Sequence, residues 1–166
     1  MMTAGTIRRF LFPRPDRRYL VRVLIVALTA FVIFKFVLIP FRISGDSMWP
    51  TYRNGGMNFC FTLAFLFSDP VRADVVTIRL AGNRAMLLKR IVALENDTVE
   101  FRDGRLLVNQ QVVPEPYVSG PCDWNLPPRT VKPGHVYVVG DNRSVPMDRH
   151  HFGQTPVERI VGEPLW

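Results

Sequence analysis

The hydrophobic and polar positions divide the chain into two parts. From Val23 to Phe41, a run of 19 residues is apolar except for Thr29 and Lys35. A helix of about 20 apolar residues crosses the roughly 30 Å hydrocarbon layer of a membrane. Lys35 lies near the end of the run, where its aliphatic stem can carry the ammonium group to the lipid headgroups. The pattern therefore predicts one transmembrane anchor over 23–41, preceded by a basic segment over 1–22.

After the apolar run, short hydrophobic stretches alternate with Gly, Pro, Asn and Asp, which is typical of β-rich domains with long loops. The pattern predicts a mainly β domain over 42–166. Asp103-Gly104 is expected to form a two-residue hairpin turn, and the proline-rich stretch 113–133 an extended surface excursion. Strands are predicted over Val75–Leu80, Ala85–Leu94, Thr98–Arg102, Arg105–Asn109 and His135–Val139.

The stretch from Met57 to Phe67, MNFCFTLAFLF, is more apolar than a surface strand of a small soluble domain. It forms either a strand of the core or an apolar face against the bilayer beside the anchor, and both can hold at once.

The charge of the chain is strongly asymmetric. Residues 1–42 hold eight basic residues and one acidic residue, whereas 43–166 hold 13 of each. The positive-inside rule then places the N-terminus in the cytoplasm and the β domain on the far side of the cytoplasmic membrane. A cleaved secretory signal and a buried helix of a soluble protein are the alternatives for the apolar run. Because the folded part has no net charge, a nucleic-acid partner is not expected.

The sequence contains no motif typical of a metal or nucleotide site, and its three histidines lack partners at ligand spacing. We therefore expect neither a metal nor a cofactor. Cys60 and Cys122 would face an oxidising compartment, which permits a disulfide, but they lie in very different segments. We expect two separate thiols.

One serine and one lysine are candidates for chemistry. Ser47 lies in a turn bounded by Gly45 and Pro50, where a serine is usually only a turn residue. In the strand over 85–94, alternation puts Lys89 on the same face as Leu87, Ile91 and Ala93. Burial of this kind lowers a lysine pKa from about 10.4 towards neutrality, so that the amine can accept a proton from serine. Alternatively, Lys89 is a rim lysine with its ammonium in water.

Four runs, in order, resemble the conserved boxes of bacterial type I signal peptidases, the membrane-anchored Ser/Lys proteases. The resemblance implies an antiparallel β domain with an N-terminal anchor, and a hydrolase that removes leader peptides from exported precursors through an acyl-enzyme. It implies Ser47 as nucleophile and Lys89 as general base. Precursor proteins and the lipid bilayer are the implied partners, and secretion machinery is a further candidate. The runs are GDSMWPT at 45–51, ADVV at 73–76, LLKRIVAL at 87–94 and GDNR at 140–143.

The resemblance also assigns supporting roles. The Ser47 N–H is one expected oxyanion donor, and a second donor comes in some relatives from a hydroxyl at the position of Gly45 here, for which Ser44 is a candidate replacement. Pro146 stands where the family places a serine beside the lysine, and Ser144 is the candidate replacement there. The other expected roles are loop bracing by Asp141 and Arg143, pairing of Asp148 with Arg143, Arg149 or His150, and substrate contact by Met48, Pro50, Leu87 and Ile91.

Two alternatives to a general leader peptidase are left open by these departures from the family pattern. One is a specialised peptidase that matures a pilin of a conjugation or secretion system. The other is a catalytically idle relative that binds signal peptides.

Overall fold

The first element is a long apolar helix. The computed structural model describes residues 16–79 and 86–166. Helix α1 spans Arg17–Val32, and Asp16 caps it by accepting a hydrogen bond from the Tyr19 N–H at 2.7 Å. A π-helical turn, Ile33–Val37, continues it. The 21 residues of Arg17–Val37 are long and apolar enough to cross a membrane.

The helical segment differs from the predicted span of 23–41 at both ends. It begins at Arg17, and it ends at Val37 instead of Phe41. The last predicted positions form strand β1, Leu38–Arg42, which pairs with β2, Met57–Phe61. Pro40 lacks the N–H that a helix requires at this position, whereas a strand at the edge of a sheet tolerates it. Most of the basic segment, including Arg8, Arg9 and Arg14, lies outside the described residues.

The remainder, 38–166, forms a compact unit separate from the helical segment. Its described part holds eleven strands in two antiparallel sheets. The larger sheet has the order β1-β2-β11-β3-β4-β9-β10, and the smaller has the order β7-β6-β5-β8. The remaining strands are β3 Val75–Arg79, β4 Met86–Ala93, β5 Thr98–Arg102, β6 Arg105–Val108, β7 Gln111–Val112, β8 Leu126–Thr130, β9 His135–Val139, β10 Gly153–Pro156 and β11 Ile160–Pro164.

The prediction of a mainly antiparallel β domain after one apolar helix is confirmed. Strands β5 and β9 have the predicted bounds, and β6 ends one residue early. The hairpin between β5 and β6 turns at Asp103 and Gly104, which both have positive φ. Leu80 and Ala85 lie outside the described residues. Strand β3 matches its prediction as far as it is described, whereas β4 ends one residue early, at Ala93 instead of Leu94.

The proline-rich stretch 113–133 is only partly the surface excursion that we expected. Its second half contains β8, which pairs with β5. Pro127 and Pro128 are tolerated because β8 lies at the edge of its sheet, where one row of backbone groups needs no partner. Trp124 and Leu126 anchor this stretch by burial in the core.

The core contains several clusters that meet along β4. Ile91 packs with Val76 and Val138 in one cluster, whereas Ala93 belongs to another, centred on Trp124. The alternation rule placed Ala93 on the face of Lys89. A register shift between Ile91 and Ala93 in the pairing with β9 ends that alternation.

The apolar segment Met57–Phe67 divides into a strand that joins the core and turns that expose apolar side chains, and contact with a bilayer stays a prediction. Cys60 and Asn58 in β2 are buried, and Cys60 is a free thiol, as is Cys122. The turns that follow β2 expose Leu66 and Phe67, the latter at 93% of its surface. The strand therefore contributes to the core, and the turns present an apolar surface to the solvent.

Candidate active site

The structure brings Ser47 and Lys89 together. Ser47 lies in the turn between β1 and β2, and Lys89 lies in the middle of β4. The Lys89 Nζ donates a hydrogen bond to the Ser47 Oγ over 2.8 Å. This is the distance at which a serine hydroxyl can pass its proton to an amine.

Lys89 is buried, and its environment weakens its positive charge. Only 2% of its surface is exposed. Burial lowers the pKa of Lys89 to about 8, although the negative charge of Asp141 opposes the shift. A lysine with this pKa has a large uncharged fraction slightly above neutral pH. The rim position in water, which we considered from the sequence, is excluded.

The turn that carries Ser47 is held by the loop that follows β9. The Asn142 backbone N–H donates to the Ser47 carbonyl at 3.0 Å, and its side-chain amide donates to the Asp46 carbonyl, also at 3.0 Å. Gly140 lies directly against Ser47: a Cβ at this position would be 2.2 Å from the Ser47 carbonyl oxygen. Only glycine allows the two backbones to approach so closely.

Asp141 connects the serine turn to the lysine strand. Its carboxylate accepts hydrogen bonds from Arg90 Nε at 2.8 Å and Nη2 at 2.7 Å, and from the Thr51 hydroxyl at 2.6 Å. Arg90 also donates to the Ala73 carbonyl at 2.6 Å and lies over the ring of Tyr117. These contacts hold the backbone on either side of the Ser47–Lys89 pair.

Arg143 is buried in the same loop. Its guanidinium donates to the Gly140 carbonyl and to both carboxylate oxygens of Glu115. The aromatic rings of Phe101 and Trp124 lie beside it. Asp141 and Arg143 therefore make the bracing contacts expected of them, and Glu115 is the partner that the sequence did not indicate.

His150 is a second titratable group close to the pair. Its Nε2 accepts a hydrogen bond from the Gly140 N–H at 2.9 Å, and its ring packs edge-on against Trp124. Burial, together with the positive charges of Lys89, Arg143 and His151, lowers the pKa of His150 to about 3. The imidazole is therefore neutral at physiological pH, and its fixed acceptor positions the Gly140 backbone.

The backbone N–H of Ser47 is free of internal hydrogen bonds in the part of the chain that the structure describes. Among the described residues, the Ser47 N–H has no hydrogen-bond partner, whereas the Gly45 N–H donates to Asn54 Oδ1 at 3.1 Å. Ser44 is exposed and lines the same small cavity as Gly45 and Ser47. The Ser47 N–H is thus available for an oxyanion, and the hydroxyl of Ser44 is near enough to the same space to remain a candidate.

A small cavity adjoins the serine. Besides the three residues of the serine turn, its wall includes Met48 and Leu87, and its volume is about 40 Å³. We call it the Ser47 cavity. Two of the four residues expected to contact substrate thus line it. Pro50 is exposed and is not part of this wall, and Ile91 is fully buried in the core, which removes it from the substrate site.

The structure does not support two of the supporting roles expected in the last box. The Ser144 hydroxyl lies close to Gly120, and the structure shows no contact between it and Lys89. Asp148 is exposed and forms no ion pair within the described ranges, because Arg143 pairs with Glu115 instead. Ser144 therefore does not replace the serine hydroxyl that the family places at the position of Pro146.

The described residues hold no group of three or more His, Cys, Asp or Glu side chains that could bind a metal ion. The groups that the structure places at the site are a hydroxyl, an amine and a backbone N–H. A buried amine in contact with a serine, beside a free N–H, is an arrangement suited to acyl transfer.

Comparisons with known proteins identify the family that this chain resembles. A family model described as signal peptidase, peptidase S26, matches residues 17–166. Thylakoidal processing peptidase 1 of Arabidopsis thaliana is 34% identical over 152 residues, which cover 84% of this chain and 45% of that protein. Probable signal peptidase I-1 of Synechocystis is 32% identical over 152 residues, covering 86% of this chain and 78% of that protein.

A crystal structure of a signal peptidase I from Enterococcus faecalis is similar over 58% of this chain and 97% of its own, at 26% identity and a TM-score of 0.46. The chain spans less than half the length of the two thylakoidal relatives that it matches.

Proposed function

This chain belongs to the signal peptidase family, peptidase S26, and from that premise we propose that it is a membrane-anchored serine endopeptidase. Its substrates are exported precursors, from which it removes the leader peptide. The observation that carries the proposal is the 2.8 Å contact between Ser47 Oγ and the buried Lys89 Nζ. A lysine with a purely structural role does not have to contact a serine. A lysine that acts as general base must lie within hydrogen-bond distance of the hydroxyl that it deprotonates.

The reaction follows from the two groups. When Lys89 is uncharged, its amine accepts the proton of the Ser47 hydroxyl as Ser47 Oγ attacks the carbonyl carbon of the scissile bond. The Ser47 N–H stabilises the negative oxygen of the tetrahedral intermediate. Lys89 then donates the proton to the leaving nitrogen, and an ester with Ser47 forms. Water hydrolyses the ester after giving a proton to Lys89, which returns it to Ser47 Oγ.

The size of the Ser47 cavity supports a preference for a small side chain before the cleaved bond. Its volume of about 40 Å³ is well below the roughly 300–1,000 Å³ of pockets that hold a whole small molecule. Met48 and Leu87 give it apolar walls. A small side chain such as that of alanine suits this narrow space better than an aromatic one.

The membrane assignment rests on the helical segment and on the apolar turns. The helix Arg17–Val37 is long enough to anchor the chain, and the positive-inside rule places its N-terminus in the cytoplasm. Leu66 and Phe67 are highly exposed in the β domain, which favours contact of this domain with the outer leaflet of the cytoplasmic membrane. The catalytic groups would then face a precursor whose leader is inserted in the same bilayer.

The test is cleavage of a leader-bearing precursor by the purified full chain in detergent, with N-terminal sequencing of the product. Ser47→Ala and Lys89→Met each remove one member of the pair. Ser68→Ala and Lys132→Met are matched controls at exposed positions. We expect cleavage at one site, a loss of about a thousandfold or more in each pair variant, and native rates in the controls.

A pair variant that cleaves at the native rate would overturn the proposed roles of Ser47 and Lys89. Binding of the precursor by the native protein without cleavage would favour the alternative of a catalytically idle relative that binds signal peptides.

A further inference from the structure

A second and larger cavity adjoins the pair through Lys89. It has a volume of about 380 Å³ and is distinct from the Ser47 cavity, with which it shares Leu87 as a wall. We call it the Lys89 cavity. Besides Lys89 and Leu87, the residues that decide its chemistry are Arg79, Arg159, His150 and His151.

The charged side chains that line the Lys89 cavity are all basic. Arg79, from β3, and Arg159, from the short 3₁₀ helix Val157–Arg159, are both exposed and line it. Within the described ranges neither forms an ion pair, and no Asp or Glu lines the cavity. Glu158, which precedes Arg159 in the sequence, is not part of the wall. The two guanidinium groups are therefore available to an anionic ligand.

The ring of His150 is part of the same wall. Because its Nε2 accepts the Gly140 N–H, the hydrogen of the neutral ring is on Nδ1. This Nδ1 is buried and has no partner among the described residues, and only 5% of the surface of His150 is exposed. This nitrogen is not accessible from the cavity, so the groups that can bind a carboxylate there are the two unpaired guanidinium groups.

The position of Lys89 indicates which part of a substrate enters this cavity. In the proposed function, on which this inference rests, Lys89 delivers a proton to the nitrogen that leaves the cleaved bond. The residues joined to that nitrogen, which begin the mature protein, must therefore approach Lys89. The acyl half of the substrate is held at Ser47. The larger cavity, with Lys89 in its wall, is the space next to the leaving half.

We propose that the Lys89 cavity binds the first residues of the mature protein and favours an acidic side chain there, through Arg79 and Arg159. The carboxylate of an Asp or Glu just after the cleavage site would meet the two guanidinium groups. Because both arginines are solvent-exposed, the preference is moderate and falls as salt increases.

The experiment compares leader peptides that differ only at the first two positions after the cleavage site, with Glu, Gln or Lys there. kcat/KM is measured in neutral detergent at low and high salt, for the native full chain and for the double variant Arg79→Gln/Arg159→Gln. Arg105→Gln and Arg129→Gln are matched controls, since both arginines are exposed and neither lines the cavity. The affinities of the same peptides for the Ser47→Ala variant compare the three side chains without cleavage.

We expect the native chain to prefer Glu over Gln by about threefold to tenfold at low salt and to disfavour Lys. The double variant should lose the preference, so that its rates on the Glu and Gln peptides become equal, and the controls should keep the preference. Equal use of Glu and Gln peptides by the native chain, or a preference that survives in the double variant, overturns the proposal. A double variant that loses only its binding to phosphatidylglycerol vesicles would assign the cavity to a lipid headgroup and overturn it as well.

The two proposals fail in different ways. If the native chain cleaves none of the peptides, the proposed function fails, and the binding comparison with Ser47→Ala still decides the charge preference of the cavity.

Discussion

Asp141 and Arg90 form a buried, bidentate ion pair next to the reacting groups. Arg90 follows Lys89 in β4, and Asp141 belongs to the loop that holds the Ser47 turn through Asn142. The side chain of Asp141 is completely buried, and that of Arg90 is 11% exposed. The pair therefore joins the strand of the base to the turn of the nucleophile, and its loss should affect both folding and catalysis.

Asp141→Asn should destabilise the protein by about 3–5 kcal/mol, because it leaves the Arg90 guanidinium buried without its counter-ion. It should also lower kcat/KM by at least about tenfold in the protein that remains folded, since small displacements of reacting groups are costly. Denaturant unfolding and cleavage assays measure the two effects.

Arg102→Gln is the control for this prediction. Arg102 forms an ion pair with Glu100, whose side chain is 11% exposed, but 62% of the Arg102 side chain is in solvent. Solvent screens this pair, so its loss should cost less stability than the loss of the Asp141–Arg90 pair. If Asp141→Asn is no more destabilising than Arg102→Gln, the pair does not brace the site.

Lys89→Met should stabilise the fold while abolishing activity. The native pKa of about 8 lies below the ordinary 10.5, which corresponds to a cost of about 3 kcal/mol for holding the charged lysine at pH 7. Methionine fills a similar space without this cost. Thermal or denaturant unfolding at pH 7 measures the gain, with Lys132→Met as an exposed control.

The gain from Lys89→Met should shrink with rising pH. Between about pH 8 and 10.5 the folded protein has released the Lys89 proton while the unfolded chain still holds it, so the stability of the native protein rises relative to the variant. A stability difference between the two that is constant from pH 7 to 10 would show that the ammonium is not penalised by burial.

Gly140→Ala should reduce activity more than its effect on stability would suggest. The added Cβ would be 2.2 Å from the Ser47 carbonyl oxygen and 2.6 Å from His150 Nε2, so the Ser47 turn has to move. We expect kcat to fall by about tenfold or more, measured on a leader peptide at saturating concentration.

Gly134→Ala is the control for Gly140→Ala, because it strains the backbone without displacing the Ser47 turn. Gly134 has a positive φ, but a Cβ there meets no atom within 4 Å. This variant should lose about 1–2 kcal/mol of stability from backbone strain and retain the native kcat. Equal losses of kcat in the two variants would argue against positioning of Ser47 by Gly140.

Phe67→Ser should affect only membrane-inserted substrates. With 93% of its surface exposed, Phe67 contributes little to folding, but it offers apolar area to a bilayer. In proteoliposomes, we expect slower cleavage of an inserted precursor and an unchanged rate on a short soluble peptide. Val112→Ser, at another exposed apolar position, should change neither rate, and a Phe67→Ser variant that cleaves both at the native rate would contradict membrane contact by this turn.

The sequence predicted those elements that depend on residues close together in the chain. Alternation in β4 placed Lys89 among apolar side chains, and the Asp103-Gly104 turn was recognised from residues that tolerate positive φ. Strands β10 and β11 were missed because Gly153–Pro156 and Ile160–Pro164 have weak apolar alternation. They are strands because they pair with distant partners, β9 for β10 and β2 and β3 for β11.

The site was predicted only in part, because its residues come together from distant parts of the chain. Ser47 and Lys89 are 42 residues apart, and only the resemblance to a known family suggested that they meet. Glu115 lies in a proline-rich loop with no periodicity, and its contact with Arg143 depends on how that loop packs. His150 was dismissed as a metal ligand and considered as a partner for Asp148, whereas its backbone contact with Gly140 depends on tertiary structure.

The pH dependence of kcat/KM tests the central claim most directly, because the uncharged amine of Lys89 is the species that accepts the Ser47 proton. The rate should rise about tenfold per pH unit below pH 8 and level off above it, following the Lys89 pKa of about 8. His150, whose pKa is lowered to about 3, adds no step in this range. A rate that is constant from pH 6 to 10, or that rises only near the ordinary lysine value of 10.5, would contradict the account.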